Sequence, residues 1–211
     1  QDESGITVEG GRLQGGTTEL PGDESSQYVS ALLLISPLAA EEVSIKLTTP
    51  LESKPYVLMT LECLERFGIK VRYSPDLRQF ATPKQTYIST RYNVEGDWSS
   101  ASYYLALGVS AGDVEVRNLN TNSLQGDKQI INLLKDMGAR VEVTDNSVIA
   151  QKSRLRAIRA DLSDCIDLLP TMAALAALAD GVSEFTGIAR ARIKESNRVA
   201  AVSEGLERMG I

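Results

Sequence analysis

Three segments of the chain share one pattern, an amphipathic helix that ends at a glycine. The segments are KPYVLMTLECLERFGIKV at 54–71, DKQIINLLKDMGARV at 127–141 and SNRVAAVSEGLERMGI at 196–211. Their closing glycines, Gly68, Gly138 and Gly210, lie roughly 70 residues apart, and each suits the left-handed conformation that ends many helices. A chain with such a period is expected to fold as a series of similar units.

Each closing helix is preceded by another helix and by short stretches that are typical of strands. The earlier helices are predicted at 25–39, 99–112 and 167–181, the strands at 42–50, 113–120 and 182–189, and hairpins at 69–83 and 140–152. The sequence therefore predicts a repeated β-α-β-α-β-β unit and an α/β fold of the α+β kind. Two full copies and part of a third fit into the chain. Because the third copy stops at Ile211 before its hairpin, we expect the chain to be a fragment of a longer protein.

Residue types that are rare or absent exclude several kinds of active site. The chain has no histidine, and its two cysteines, Cys63 and Cys165, lie far apart in sequence. A Ser-His-Asp triad, a Cys-His pair, a histidine-based metal site and a zinc knuckle are therefore excluded within this chain. Proton transfer must then fall to carboxylates, lysine or tyrosine. We expect both cysteines to be packing residues.

The net charge of the chain limits which kinds of molecule it is expected to bind. The chain carries 22 Lys and Arg against 28 Asp and Glu, a net charge of −6, which argues against a general nucleic-acid or membrane-surface binder. No apolar stretch approaches the length of a membrane span, and the first residues, QDESGITVEG, lack the basic and apolar regions of a signal peptide. We therefore expect a soluble, cytoplasmic protein with no nucleic-acid or membrane partner.

The segment RARIKESNR runs against this acidic background. Four cations, Arg190, Arg192, Lys194 and Arg198, surround one carboxylate, Glu195, just before a helix. Such a run is most often a solvated surface, and the alternative is a site for an anion. The position is suited to an anion, because the free N–H groups and the dipole of a helix start attract negative charge.

The repeat allows one position to be compared between copies. Near the start of the closing helix the copies place Ser53, Ser123 and Glu195, and three residues later Tyr56, Gly126 and Arg198. Polar side chains at a helix start either cap the helix or bind an anion. For Ser99 and Ser100, at the start of an earlier helix, we expect capping.

Five motifs in this order, GDESSQ, SKPY, VEGDWSSASY, NSLQGD and RIKESNR, resemble the central region of the 5-enolpyruvylshikimate-3-phosphate (EPSP) synthase family, the 3-phosphoshikimate 1-carboxyvinyltransferases. The likeness spans essentially the whole chain. It implies two lobes of three β-α-β-α-β-β units each, an inside-out α/β barrel architecture that is incomplete here. On this likeness residues 1–92 belong to the first lobe and residues 93–211 to the second, with a hinge near 93–96.

The resemblance implies a transferase of the shikimate pathway, which serves aromatic amino acid biosynthesis. The reaction moves the enolpyruvyl group of phosphoenolpyruvate to the 5-hydroxyl of shikimate 3-phosphate and releases phosphate. Both substrates are small anions, and no cofactor or metal is implied. We expect the whole protein to be a monomer. We expect this chain alone to be inactive, because it lacks other segments of the family's active site. We also expect it to associate, because incomplete repeat units leave sheet edges and apolar faces exposed.

The resemblance also assigns site residues, motif by motif. Asp167 matches the general base for the attacking hydroxyl, and Glu195 matches the acid that protonates the methylene carbon. The residues implied for shikimate 3-phosphate are Ser25, Ser26, Gln27, Ser53, Tyr56, Asp167 and Lys194, and those for phosphoenolpyruvate are Gln27 and Arg198. Arg190 and Arg192 receive no role.

Three other interpretations are compatible with the residues. UDP-N-acetylglucosamine enolpyruvyltransferase shares the architecture and the donor, although the Ser-Ser-Gln and Ser-Lys-Pro-Tyr motifs favour the shikimate enzyme. A P-loop is suggested by GGRLQGGTT at 10–18, but Gly16 stands where that motif needs a lysine. In a non-catalytic repeat module the polar residues at the helix starts would only be caps.

Overall fold

The computed structural model describes residues 7–211, which form two compact units. Unit 1 contains the residues up to Leu51 together with Thr60–Thr90, and unit 2 contains Glu52–Met59 and Arg91–Ile211. The assignment of residues 1–92 and 93–211 to two lobes of a larger protein stays a prediction. No helix within the described range is long and apolar enough to cross a membrane.

Unit 1 is a four-stranded sheet with two helices, in the predicted order β-α-β-α-β-β. Its elements are β1 (Gly16–Leu20), α1 (Ser26–Ile35), β2 (Val43–Leu47), α2 (Lys54–Arg66, whose residues before Thr60 belong to unit 2), β3 (Arg72–Tyr73) and β4 (Gln79–Thr82). The crossover through α1 makes β1 and β2 parallel, whereas β4 pairs antiparallel with both β2 and β3. The strand order is β1-β2-β4-β3. Val29, Leu33, Ile45 and Phe80 are buried in its core.

Unit 2 contains the second and third copies of the repeat. Its further elements are α3 (Trp98–Ser110), β5 (Val114–Arg117), α4 (Ile130–Asp136), β6 (Arg140–Val143), β7 (Ser147–Gln151), β8 (Arg159–Asp161), α5 (Leu169–Ala177), β9 (Glu184–Thr186) and α6 (Arg198–Arg208). The strands form an antiparallel sheet of order β5-β7-β6 and a parallel pair, β8-β9. Every helix and hairpin named from the sequence is present.

One strand of the repeat is not formed. The described chain has no strand between β4 and α3, so the second copy runs α-β-α-β-β instead of the predicted β-α-β-α-β-β. Residues 88–94 are all exposed, and no strand within residues 7–211 pairs with them. They therefore lack the alternating burial that holds a strand against a core.

The three closing glycines have the predicted left-handed backbone, with φ of +81°, +83° and +83° at Gly68, Gly138 and Gly210. In each copy the N–H of the next residue donates to a carbonyl five residues earlier, in the pairs Ile69 to Leu64, Ala139 to Leu134 and Ile211 to Leu206. These bonds satisfy carbonyls that a helix end leaves free. The repeat in the sequence is thus a repeat of backbone geometry.

The core of unit 2 is one apolar cluster that includes residues of α3, α4 and α5. Trp98 and Leu134 are fully buried in it, and Cys165 also belongs to it, as expected, whereas Cys63 of α2 is only partly buried. Gly108 lets α3 lie directly against β7, because a side chain there would come within 2.7 Å of the Ala150 carbonyl oxygen. This close approach packs the end of α3 against the sheet of unit 2.

The structure corrects one expectation and argues against the P-loop alternative. The carboxylate of Asp97 caps α3 by accepting from the backbone N–H groups of Ser99 and Ser100, so the two serines are not the caps. The glycine-rich segment at 10–18 runs into β1 and not into a helix. It therefore lacks the helix N-terminus that a P-loop needs to bind phosphate.

Candidate active site

The predicted acidic and basic residues meet at the starts of α5 and α6 in unit 2. Asp167 lies in the short 3-10 turn that precedes α5, and Lys194, Glu195 and Arg198 lie at the start of α6. Arg198 Nη1 donates to Asp167 Oδ1 at 2.5 Å, and Lys194 Nζ lies 3.6 Å from the same oxygen. Two cations therefore hold one carboxylate.

The start of α6 is set by its own sequence. Asn197 Oδ1 caps the helix by accepting from the backbone N–H of Ala200 at 3.1 Å. The cap makes Arg198 the first helical residue, and its guanidinium reaches Asp167 from there. An ordinary capping signal thus positions the central cation of the cluster.

Arg198 also binds Glu195. Its Nε and Nη2 donate to the two Glu195 carboxylate oxygens at 2.9 and 3.0 Å, which is a bidentate pair. The hydrogen bond from Arg198 is the main reason why the pKa of Glu195 is lowered, and the same bond raises the pKa of Arg198. In this arrangement Glu195 is ionised at neutral pH.

The cluster is open enough for a ligand to reach. The exposed side-chain fractions are 30% for Asp167, 29% for Lys194, 22% for Arg198 and 66% for Glu195. Ion pairs that water can reach contribute about 1 kcal/mol or less each. Fold stability alone therefore gives little reason for these four charges to be together.

Ser53 and Tyr56 lie at the start of α2 and belong to the same unit. Ser53 is 4% exposed, has a left-handed backbone with φ of +51°, and its carbonyl accepts from the Tyr56 N–H. The pKa of Tyr56 is raised by burial and by the negative charges of Asp127 and Asp167. The phenol therefore stays protonated and remains a hydrogen-bond donor in the electrostatic field of Asp167.

Arg190 is buried next to Ser53. Its Nη2 donates to Ser53 Oγ at 2.8 Å and to the Ser163 carbonyl at 3.1 Å, and its Nε faces the Glu52 carboxylate. The Arg190 side chain is 8% exposed, whereas Arg192 is an exposed residue. Within RARIKESNR, the solvated-surface interpretation therefore fits Arg192 and does not fit Arg190.

The sequence analysis missed a buried carboxylate, Asp127, just before α4. It is 0% exposed, and Ser99 Oγ donates to it at 2.6 Å. Burial raises the pKa of Asp127 to about 6, although hydrogen bonds from Ser99 and Tyr56 lower it and the charge of Asp167 adds to the rise. The motif NSLQGD contained this residue, but an acid at a helix start is ordinarily exposed and no local pattern indicates its burial.

Ser25, Ser26 and Gln27 lie at the start of α1 in unit 1. Ser25 Oγ caps the helix by accepting from the Gln27 N–H at 3.2 Å. Ser26 is buried and Gln27 is exposed. The preceding loop is held because the Gly22 N–H donates to Thr49 Oγ1 at 2.8 Å. Ser25 is therefore a cap, and a ligand-binding role for the three residues stays a prediction.

The arrangement can bind an anion through Lys194 and Arg198 and can move protons through Asp167 and Glu195. Across residues 7–211 no group of three or more His, Cys, Asp or Glu side chains is placed to hold a metal ion. The chemistry that these residues themselves support is acid–base chemistry on an anionic substrate.

The fold places the chain in a class of enzymes. It is similar to the enolpyruvyl transferase NikO from Streptomyces tendae, with a TM-score of 0.60 at 16% identity over 81% of this chain and 43% of that chain. It is also similar to EPSP synthase from Acinetobacter baumannii, with a TM-score of 0.72 at 25% identity over 93% of this chain and 45% of that chain. The α/β architecture of enolpyruvyl transferases, predicted from the sequence, is confirmed.

Within that class, one family matches nearly the whole chain. The model of the EPSP synthase (3-phosphoshikimate 1-carboxyvinyltransferase) family matches residues 2–211, and the chain belongs to this family. The 3-phosphoshikimate 1-carboxyvinyltransferase of Dehalococcoides mccartyi is 49% identical over 204 residues, which are 97% of this chain and 49% of that protein. The enzyme of Methanosphaera stadtmanae is 41% identical over an alignment of 212 positions, which covers 98% of this chain and 50% of that protein. The chain spans about half the length of the curated relatives it matches.

Proposed function

We propose that the whole protein to which this chain belongs transfers the enolpyruvyl group of phosphoenolpyruvate to the 5-hydroxyl of shikimate 3-phosphate. The observation that carries the proposal is the cluster in which Lys194 and Arg198 hold the carboxylate of Asp167. Both substrates carry phosphate, so their site needs cations next to groups that move protons. Because the relatives named for this activity are about twice as long, the activity is assigned to the whole protein.

The two carboxylates have different roles in this proposal. Asp167 accepts the proton of the 5-hydroxyl while the hydroxyl oxygen attacks the central carbon of phosphoenolpyruvate, and Lys194 lies on the same side. Glu195 gives a proton to the methylene carbon, which becomes a methyl group in a tetrahedral intermediate. Expulsion of phosphate and return of one methyl proton to a base then give the product. The protons taken up and released balance over the two steps.

Arg198 connects binding of the donor to the acidity of Glu195. The phosphate or carboxylate of phosphoenolpyruvate competes with Glu195 for the guanidinium, since both are anions that form bidentate bonds. The bond from Arg198 is what chiefly lowers the pKa of Glu195. Loss of that bond raises this pKa, so Glu195 is protonated more readily when the donor is bound.

Ser53 and Tyr56 are proposed to bind shikimate 3-phosphate, because both lie at a helix start and carry hydroxyl donors in the unit that holds Asp167. Ser25, Ser26 and Gln27 are proposed for the same ligand on the resemblance alone. A monomeric whole protein and a cytoplasmic location also stay predictions from the sequence.

The proposal is tested by removing each acid–base group in the whole protein. Asp167→Asn and Glu195→Gln should each lower kcat by about 10²–10⁴-fold with KM for shikimate 3-phosphate little changed, because they remove a proton-transfer group and keep the side-chain size. Steady-state release of phosphate measures both parameters. Glu204→Gln is the matched control, since Glu204 is an exposed α6 carboxylate paired with Arg208.

The two variants are separated by exchange of solvent deuterium into the methylene group, followed by NMR. Glu195→Gln should suppress the exchange most directly, because Glu195 moves the proton at that carbon. A Glu195→Gln variant that exchanges and turns over like the unchanged protein would reduce Glu195 to a helix-start charge. A whole protein that releases no phosphate from the two substrates together would overturn the proposed function.

A further inference from the structure

Arg190 is a buried cation for which the proposed reaction has no use. Its guanidinium has three partners, the Glu52 carboxylate, the Ser53 hydroxyl and the Ser163 carbonyl. A buried charge is stable only when it is paired and hydrogen-bonded, and Glu52 supplies the opposite charge. The charge of Arg190 is therefore already neutralised next to Ser53.

The hydrogen bond from Arg190 to Ser53 restricts where the hydroxyl hydrogen of Ser53 can point. A guanidinium has only donors, so Ser53 Oγ must be the acceptor of the 2.8 Å bond from Arg190 Nη2. The hydroxyl hydrogen of Ser53 then has to point elsewhere. An oxygen that accepts from a cation is also a stronger donor to an anion, since hydrogen bonds in a chain polarise one another.

The backbone of Ser53 shows that this position is constrained. Its φ of +51° is uncommon for a residue other than glycine and has an energetic cost. The surroundings must offset that cost, and two bonds do so: the Tyr56 N–H donates to the Ser53 carbonyl at 3.1 Å, and Arg190 holds the side chain. Ser53 and Arg190 are 137 positions apart in the sequence, so the bond depends on tertiary structure.

We propose that Arg190 is a positioning residue that holds the Ser53 hydroxyl as a donor to the phosphate of shikimate 3-phosphate. This inference rests on the proposed function, because it takes Ser53 to be a ligand of that phosphate. Arg190 acts through Ser53 and not as a free positive charge, since Glu52 already offsets its charge. Lysine is not equivalent to it, because a compact ammonium cannot reproduce the planar guanidinium that donates to Ser53 and Ser163 and pairs with Glu52.

The test measures phosphate discrimination by the whole protein, defined as the Kd for shikimate divided by the Kd for shikimate 3-phosphate, both from calorimetry. Arg190→Gln should lower this ratio about tenfold with the Kd for shikimate unchanged, because only the phosphate contact is weakened. Ser53→Ala should lower it by a similar factor. Arg192→Gln, an exposed arginine of the same segment, is the matched control and should leave the ratio unchanged.

The double variant decides whether Arg190 acts through Ser53. If it does, Arg190→Gln should have no further effect on the ratio once Ser53→Ala is present. If Arg190→Gln lowers the ratio by the same factor with Ser53 and with Ser53→Ala, the positioning role is overturned. It is also overturned if the Arg190→Gln variant has the same ratio as the unchanged protein. Full rescue by Arg190→Lys also overturns it, because charge alone would then suffice.

Failure of the proposed function gives a different result. A whole protein without the substitutions that binds shikimate and shikimate 3-phosphate equally well overturns both the phosphate site and the role of Arg190. Circular dichroism confirms that each variant is folded. Glu52 is 46% exposed, so water can solvate it after Arg190→Gln. If that variant does not fold, Arg190→Lys decides the question, because it keeps a positive charge opposite Glu52.

Discussion

At the scale of a single residue, the most unusual group in unit 2 is the carboxylate of Asp127. Burial raises its pKa from 3.8 to about 6, so the folded protein binds this proton more tightly than the unfolded chain does. Its contribution to the free energy of unfolding is therefore most favourable below about pH 4. That contribution falls as the pH rises from about 4 to about 6, and it is constant at higher pH.

Asp127→Asn should remove this pH dependence. At neutral pH the ionised carboxylate costs on the order of 3 kcal/mol, since one pKa unit corresponds to about 1.4 kcal/mol. Urea unfolding of the chain between pH 4 and pH 7 should show a smaller loss of stability for the variant. Asp113→Asn, at an exposed position, controls for the loss of a negative charge. Parallel pH curves for Asp127→Asn and the unchanged chain would contradict the assignment.

The sequence predicted some residues of the candidate site better than others. Asp167, Lys194, Glu195 and Arg198 were proposed from a family motif, and the last three lie within five positions, so one helix start brings them together. The burial of Arg190 and its bond to Ser53 could not be predicted in this way, because the two residues are 137 positions apart. Local patterns describe a helix or a turn, whereas burial of a charge depends on which elements pack together.

At the scale of the element, the start of α3 shows how one carboxylate organises two segments. Asp97 accepts from the N–H groups of Ser99 and Ser100 and from Gln125 Nε2 at 2.6 Å. Partial burial acts to raise the pKa of Asp97, but hydrogen bonds from Gln125 and Ser100 outweigh it and lower the pKa to about 2. The stabilisation is therefore present above pH 3.8 and is lost as the pH falls toward 2.

Asp97→Ala should destabilise the chain by about 0.5–2 kcal/mol at neutral pH, because α3 loses its cap. Asp97→Asn should destabilise it by a smaller amount, since asparagine keeps one capping oxygen but loses the negative charge and the second acceptor oxygen. Thermal unfolding followed by circular dichroism compares the two variants with the unchanged chain. Equal destabilisation by alanine and asparagine would show that the negative charge, and not the cap, is what matters.

The elements themselves were predictable where they follow a local rule. The closing glycines predicted the ends of α2, α4 and α6. A glycine with a left-handed backbone lets its own N–H and the next N–H donate to carbonyls of the last helical turn. The repeated unit implies a first strand for the second copy, before α3, and this strand is not formed. The period of the repeat says nothing about whether a neighbouring strand is there to pair with it. Gly126 illustrates the same limit: a side chain there would collide with the Asp164 carbonyl, and that contact is not visible in the sequence.

At the scale of the whole chain, the described residues contain two separate cores. Val29, Leu33 and Leu64 are buried in unit 1, whereas the apolar cluster that contains Leu134 is made of residues of unit 2 alone. A unit with its own core can open as a unit, so protection from hydrogen exchange reports on each core separately. The helix α2 contributes residues to both units.

Leu64→Ala and Leu134→Ala test whether the two cores are independent. Each removes a buried side chain, which is 1% exposed at Leu64 and 0% exposed at Leu134, and each should destabilise its own unit by about 2–5 kcal/mol. In native-state hydrogen exchange, Leu64→Ala should lower the protection of amides in 7–51 and 60–90 and leave 91–211 unchanged. Leu134→Ala should do the reverse. A uniform loss of protection along the chain after either change would show instead that the two units open together.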